Sequence, residues 1–100
     1  MLTIQELTRR LAEAAAVEPL TGKSLKIDLG EDGLVRIVDS DVDNQDLPAD
    51  CTVHVAAADL QSIAEGELDP TAAFMSGKLR IDGDISAAMA IQPLFGRAFG

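Results

Sequence analysis

One hundred residues, 47% of them hydrophobic and 25% charged, are enough to bury one core and too few for two independent domains. Seventeen acidic against eight basic side chains give a net charge of −9, which opposes binding to nucleic acid or to anionic membranes, and no basic patch offsets it. The single cysteine, Cys51, excludes an internal disulfide, and no apolar run approaches the ~20 residues of a membrane span. Neither a signal core at the N-terminus nor a targeting address in the closing "RAFG" is present, so the expectation is a soluble cytoplasmic protein, residues 1–100 forming one domain without stable membrane anchoring. With three Phe and no Trp or Tyr, its core must be built from Leu, Ile, Val, Ala and Met.

Thr3 and Glu6 have capping-box spacing, and Ile4, Leu7, Leu11 and Ala14 then recur at steps of three and four, which predicts a helix ending before Pro19 and Gly22. Arg9-Arg10 reads as its solvated edge. From Leu25 the period becomes two, "GEDG" turns the chain, and Leu34 to Val38 completes a hairpin. The acidic segment 39–50 reads as a loop or a ragged edge strand, because Pro48 and the lack of periodicity disfavour more. "CTVHVA" predicts a strand, and "ADLQSIAEG" a short helix with Asp59 as N-cap and Gly66 as stop. Asp69, Pro70 and Gly77 bracket a second short helix, Leu79 and Ile81 mark a further strand, and Asp84 caps a last helix. This order predicts an α+β fold: a mainly antiparallel sheet of four to five strands with helices on one face.

Two patterns imitate known chemistry. Asp39, Asp41, Asp43 and Asp50 fall at calcium-loop positions, but Asn44 replaces the glycine, Pro48 interrupts the backbone and strands flank the segment, so no metal site is expected. Cys51 and His54 suggest a thiol–imidazole dyad, yet residues three apart on a strand point to opposite faces. No zinc tetrad, phosphate-binding glycine loop or serine elbow occurs, and neither catalytic residues nor a cofactor are expected.

The longest uncharged run, 85–96, places Ile85, Ala88, Gln92, Phe95 and Phe99 on one helical stripe, with Met89 beside them and Ala87 and Ala90 on a bare opposite side. Pro93 predicts a kink or an end near Gln92. Two readings fit the stripe: a buried terminal helix, or the wall of a cavity in which one amide orients the polar end of a ligand.

From "ADCTVHVAAADL" through "GELDPTAAFMSGKLRIDGD" to "AAMAIQ", the chain resembles the sterol carrier protein type 2 family. The resemblance covers nearly half the chain strongly, the hairpin weakly and the first helix only in type. It implies helices enclosing an apolar tunnel for fatty acids, acyl-coenzyme A thioesters or sterols, with no catalysis. Matched by position, Phe74, Met75, Leu79, Ile81, Ile85, Met89 and Gln92 would border that tunnel, with Leu60 and Ile63 on the covering helix. Three features depart from the family: the segment 38–50 is short for an edge strand, Ala90 stands where relatives often carry lysine, and Pro93 lies at the tunnel mouth. The implied protein is a free-standing, bacterial-type carrier for a lipid or other apolar molecule, with sterol a doubtful ligand. The alternative is a protein-interaction or homodimerisation module that uses the C-terminal helix, with Phe95 and Phe99, and has a filled tunnel.

Overall fold

The structure, a computed structural model, describes residues 3–99. Its first helix, α1 (Ile4–Val17), begins where Thr3 Oγ1 accepts the Glu6 backbone N–H at 3.1 Å, and it buries Leu7, Leu11, Ala14 and Ala15. Arg9 and Arg10 both reach Glu6, each at 2.8 Å, so the paired arginines are neutralised within their own helix.

Five strands follow: β1 (Leu20–Asp28), β2 (Leu34–Asp39), β3 (Asp41–Asp43), β4 (Cys51–Val55) and β5 (Leu79–Gly83). Their spatial order is β3-β2-β1-β4-β5, antiparallel except for the central β1–β4 pair. The first strand starts at Leu20, five residues before the expected alternation, with an irregularity between Leu20 and Ser24 that hides its period.

The acidic segment does contribute the fifth strand, three residues long. Asp39 takes a left-handed φ of 54° at the tight turn from β2 into β3, and its carboxylate accepts the Gly22 N–H. Asp43 pairs with Arg36, Asp46 with Lys26, and Asp50 accepts both the N–H and the hydroxyl of Ser24. These carboxylates bind the segment to its neighbouring strands, and among the described residues no three acidic, His or Cys side chains gather as metal ligands.

Between β4 and β5 lie α2 (Ala57–Ala64) and α3 (Pro70–Met75). The cap of α2 is Ala56, not Asp59: the helix opens two residues after β4, which leaves Asp59 inside its first turn. Both helices stop by the same backbone device. Gly66 and Glu67 donate to Ile63 and Ser62 at the end of α2, and Gly77 and Lys78 donate to Phe74 and Ala73 at the end of α3. The α3 cap is Asp69, whose carboxylate accepts the Thr71 N–H at 2.8 Å.

The last helix, α4 (Ile85–Phe99), is entered through Gly83 at φ +106°, where a Cβ would lie 2.4 Å from the Asp50 carbonyl oxygen. Only glycine permits β5 to pass so close to β4 and turn at once into the helix. Asp84 then accepts the Ser86 N–H and hydroxyl. Contrary to expectation, α4 neither ends nor breaks at Pro93. The proline ring deprives only the Met89 carbonyl of its donor, both residues are exposed to water, and Leu94 behind them is fully buried. The Ala87 side, which carries little bulk, is a packing face: Ala87 is wholly buried, and α4 lies against both α1 and the sheet.

All four helices share one layer. Leu25, Ile27, Val35, Ile37, Cys51, Val53 and Val55 face them, whereas Lys26, Asp28, Thr52 and His54 occupy the open polar face. No described helix is long and apolar enough to cross a membrane.

Candidate lipid cavity

Register builds the floor of the site. Ile27, Val53 and Ile81 lie side by side across β1, β4 and β5, with Leu25 and Leu79 beside them. Alternation sends all five toward the helices. Over this part of the sheet α3 and the first turn of α4 bury only small side chains, Ala73, Ala87 and Ala88, while α2 contributes the buried Leu60. A methyl group holds a helix at a distance that leaves space beside it. The result is an apolar cavity of about 710 Å³.

Its walls come from three helices. Leu60 and Ile63 stand on α2, Pro70, Thr71 and Phe74 on α3, and Ile85, Ala88, Met89, Gln92 and Phe95 recur along one side of α4. Of the nine residues carried over from the family resemblance, eight surround this one space: Leu60, Ile63, Phe74, Leu79, Ile81, Ile85, Met89 and Gln92. Met75 does not, being 81% exposed on α3 and turned away from the cavity that its neighbour Phe74 borders.

The sequence reading missed Leu25, Ile27 and Val53 as lining residues. Their alternation was visible, but which strands lie next to Ile81 depends on the parallel β1–β4 pairing, which no local pattern encodes. Pro70 enters the sequence reading only as helix-start chemistry, and Thr71 not at all.

The mouth is apolar and wet. Phe74 is 50%, Ile85 60% and Met89 62% exposed, an unusual state for three large apolar side chains on adjoining helices. By contrast Phe95 and Phe99 do not form an exposed stripe. Their rings lie 4.6 Å apart, both pack against the core, and the Arg10 guanidinium sits 5.2 Å from the Phe99 ring. A second groove of about 860 Å³ beside α1 and α2 is walled by Glu6, Arg10 and Glu65, of which the first two already pair with each other.

Cys51 and His54 are separated by the sheet. Cys51 is buried beneath the helices, where desolvation, helped by the charges of Asp84 and Asp82, pushes its thiol above the ordinary value. On the far face His54 Nε2 lies 2.9 Å from Asp82 and Nδ1 3.4 Å from Asp28.

The same layout occurs in known proteins. The solution structure of Sterol Carrier Protein-2 from Aedes aegypti in complex with the C16 fatty acid palmitate superposes with a TM-score of 0.75, covering 97% of each chain at 16% identity. That likeness is one of fold. Sterol carrier protein 2 of Oryctolagus cuniculus is 43% identical over 51 residues, which are 51% of this chain and 9% of that protein. Non-specific lipid-transfer protein-like 1 of Caenorhabditis elegans is 25% identical over 99 residues, covering 90% of this chain and 84% of that protein. The sequence model of the SCP-2 sterol transfer family matches residues 3–96, from the cap of α1 to the last turn that borders the cavity, and the chain therefore belongs to that family.

Proposed function

We propose that the protein is a non-enzymatic lipid carrier that takes the hydrocarbon part of a lipid into the α2–α3–α4 cavity. The observation that carries this reading is the cavity itself: about 710 Å³ of apolar space opening between exposed Phe74, Ile85 and Met89. Every methylene withdrawn from water there contributes about 0.8 kcal/mol, so a long chain needs no charged anchor to bind usefully. The palmitate held by the Aedes aegypti protein supports a long hydrocarbon chain as the part of the ligand that the cavity takes up. A net charge of −9 disfavours stable docking on anionic membranes, which supports delivery through solution or hand-off to another protein.

Catalysis has no support in the same geometry, since Cys51 is buried with its proton held more tightly and His54 lies across the sheet from it. Homodimerisation through Phe95 and Phe99 is disfavoured because both rings are engaged within the protein.

Titration with a fluorescent long-chain fatty acid and with its methyl ester tests the reading. Saturable binding of at least one at micromolar protein is expected, and its absence for both overturns the proposal.

A further inference from the structure

The walls of the cavity hold polar groups of one kind only. Of its lining residues, Thr71 and Gln92 alone carry polar side chains, and none is Lys, Arg or His. Thr71 stands in the first turn of α3 and Gln92 on α4, both exposed at the rim. Neither the Thr71 hydroxyl nor the Gln92 amide has a protein hydrogen-bond partner among the described residues. The nearby cations are turned elsewhere: Arg97 engages Glu18, Lys23 engages Asp84, Arg80 lies toward Asp82 on the polar face, and Lys78 sits beyond the end of α3 outside the lining.

We propose that this cavity selects lipids whose head group is uncharged and both donates and accepts hydrogen bonds, an alcohol or a primary amide, over carboxylates of the same chain length. The inference rests on the lipid-carrier reading and adds the head group to it. A hydroxyl and a carboxamide each donate and accept, so together they complement a head of the same character. A carboxylate drawn to this rim gives up part of its hydration, meets no cation in return, and enters the field of a chain with net charge −9. The palmitate-bound Aedes aegypti protein is a guide to the hydrocarbon part, its 16% identity leaving the head-group contacts to each protein's own residues.

The test displaces a fluorescent methyl ester from the purified protein at pH 8 with dodecanol, dodecanamide and dodecanoate. The alcohol and the amide are expected to compete at concentrations about tenfold lower than dodecanoate. Part of any such gap reflects the greater cost of desolvating a carboxylate, so the decisive readout is its change when a cation is supplied. Gln92→Lys, and independently Thr71→Lys, are expected to narrow the gap about threefold or more by tightening dodecanoate, and to do so less at high salt. Dodecanoate competing within about twofold of dodecanol, or a gap that neither lysine changes, overturns the head-group inference while leaving the carrier reading intact. Failure of all three to displace a bound probe also overturns the head-group inference alone, and only failure of both the methyl ester and the fluorescent fatty acid to bind removes both.

Discussion

The covered face of the sheet is apolar from end to end, yet its two halves are filled differently. Beneath α1, the buried Leu7, Leu11, Val35 and Ile37 close the space between helix and strands. Beneath α3 and the start of α4, Ala73, Ala87 and Ala88 take the contact positions, and the larger Phe74, Ile85 and Met89 stand at the edge in water. The two halves differ in where bulk is placed, not in hydrophobicity. A helix that points leucines at a sheet makes a core, and one that points alanines at it, with bulk displaced to the rim, leaves room for a guest. The first half supplies stability on which the second can draw, because exposed apolar rims and unfilled space contribute little to folding.

Removing bulk from the filled half gives the largest effect. Leu11→Ala is expected to lower unfolding free energy by about 2–5 kcal/mol in urea denaturation, since the site is fully enclosed. A cost well under 1 kcal/mol would mean that the half beneath α1 is as loosely packed as the other, and the contrast would collapse. At the rim the effect should pass to binding. Met89→Ser is expected to change stability by no more than about 0.5 kcal/mol while weakening a long-chain ligand by roughly fivefold, measured by the same fluorescence titration. Loss of stability without loss of affinity would place Met89 in the core and not at a mouth.

The smallest effect concerns Cys51, at the junction of the halves. Its folded-state thiol is raised above the ordinary 9.0 by burial. A native group that keeps its proton longer than the unfolded one adds stability that is complete below the unfolded pKa and is lost as pH rises toward the folded value. Between pH 8 and 10 the denaturation midpoint of the native sequence should therefore fall more steeply than that of Cys51→Ala. Parallel slopes would show that water from the cavity reaches the thiol.

Much of the architecture was legible because its signals are local. Thr3 and Glu6 start α1, Asp69, Pro70 and Gly77 bracket α3, and Asp84 opens α4, each through contacts within a few residues along the chain. Where a tertiary contact overrides a local rule, the reading failed. Asp59 has the chemistry of a cap, but β4 delivers the chain into α2 two residues earlier. Pro93 is a helix breaker by rule, yet α4 continues through it, with Leu94 buried behind it and Met89 exposed. In the acidic segment the missing glycine and Pro48 already disfavour a calcium loop, but only the structure shows where Asp43, Asp46 and Asp50 go, to Arg36, Lys26 and Ser24 on neighbouring strands.

The amino-acid sequence alone determined the element types, the alternation that gives the sheet one apolar and one polar face, and the motifs from Cys51 to Gln92 that mark the family, because periodicity, caps and turn glycines act over a few residues. Tertiary structure decided that β1 lies parallel to β4, that Ile27 and Val53 therefore join Ile81 on the cavity floor, and that Phe74 borders the opening while Met75 does not. Those outcomes depend on strand order and on the spacing of helices above the sheet. Both are set by contacts between residues far apart in the chain, which no window of sequence contains.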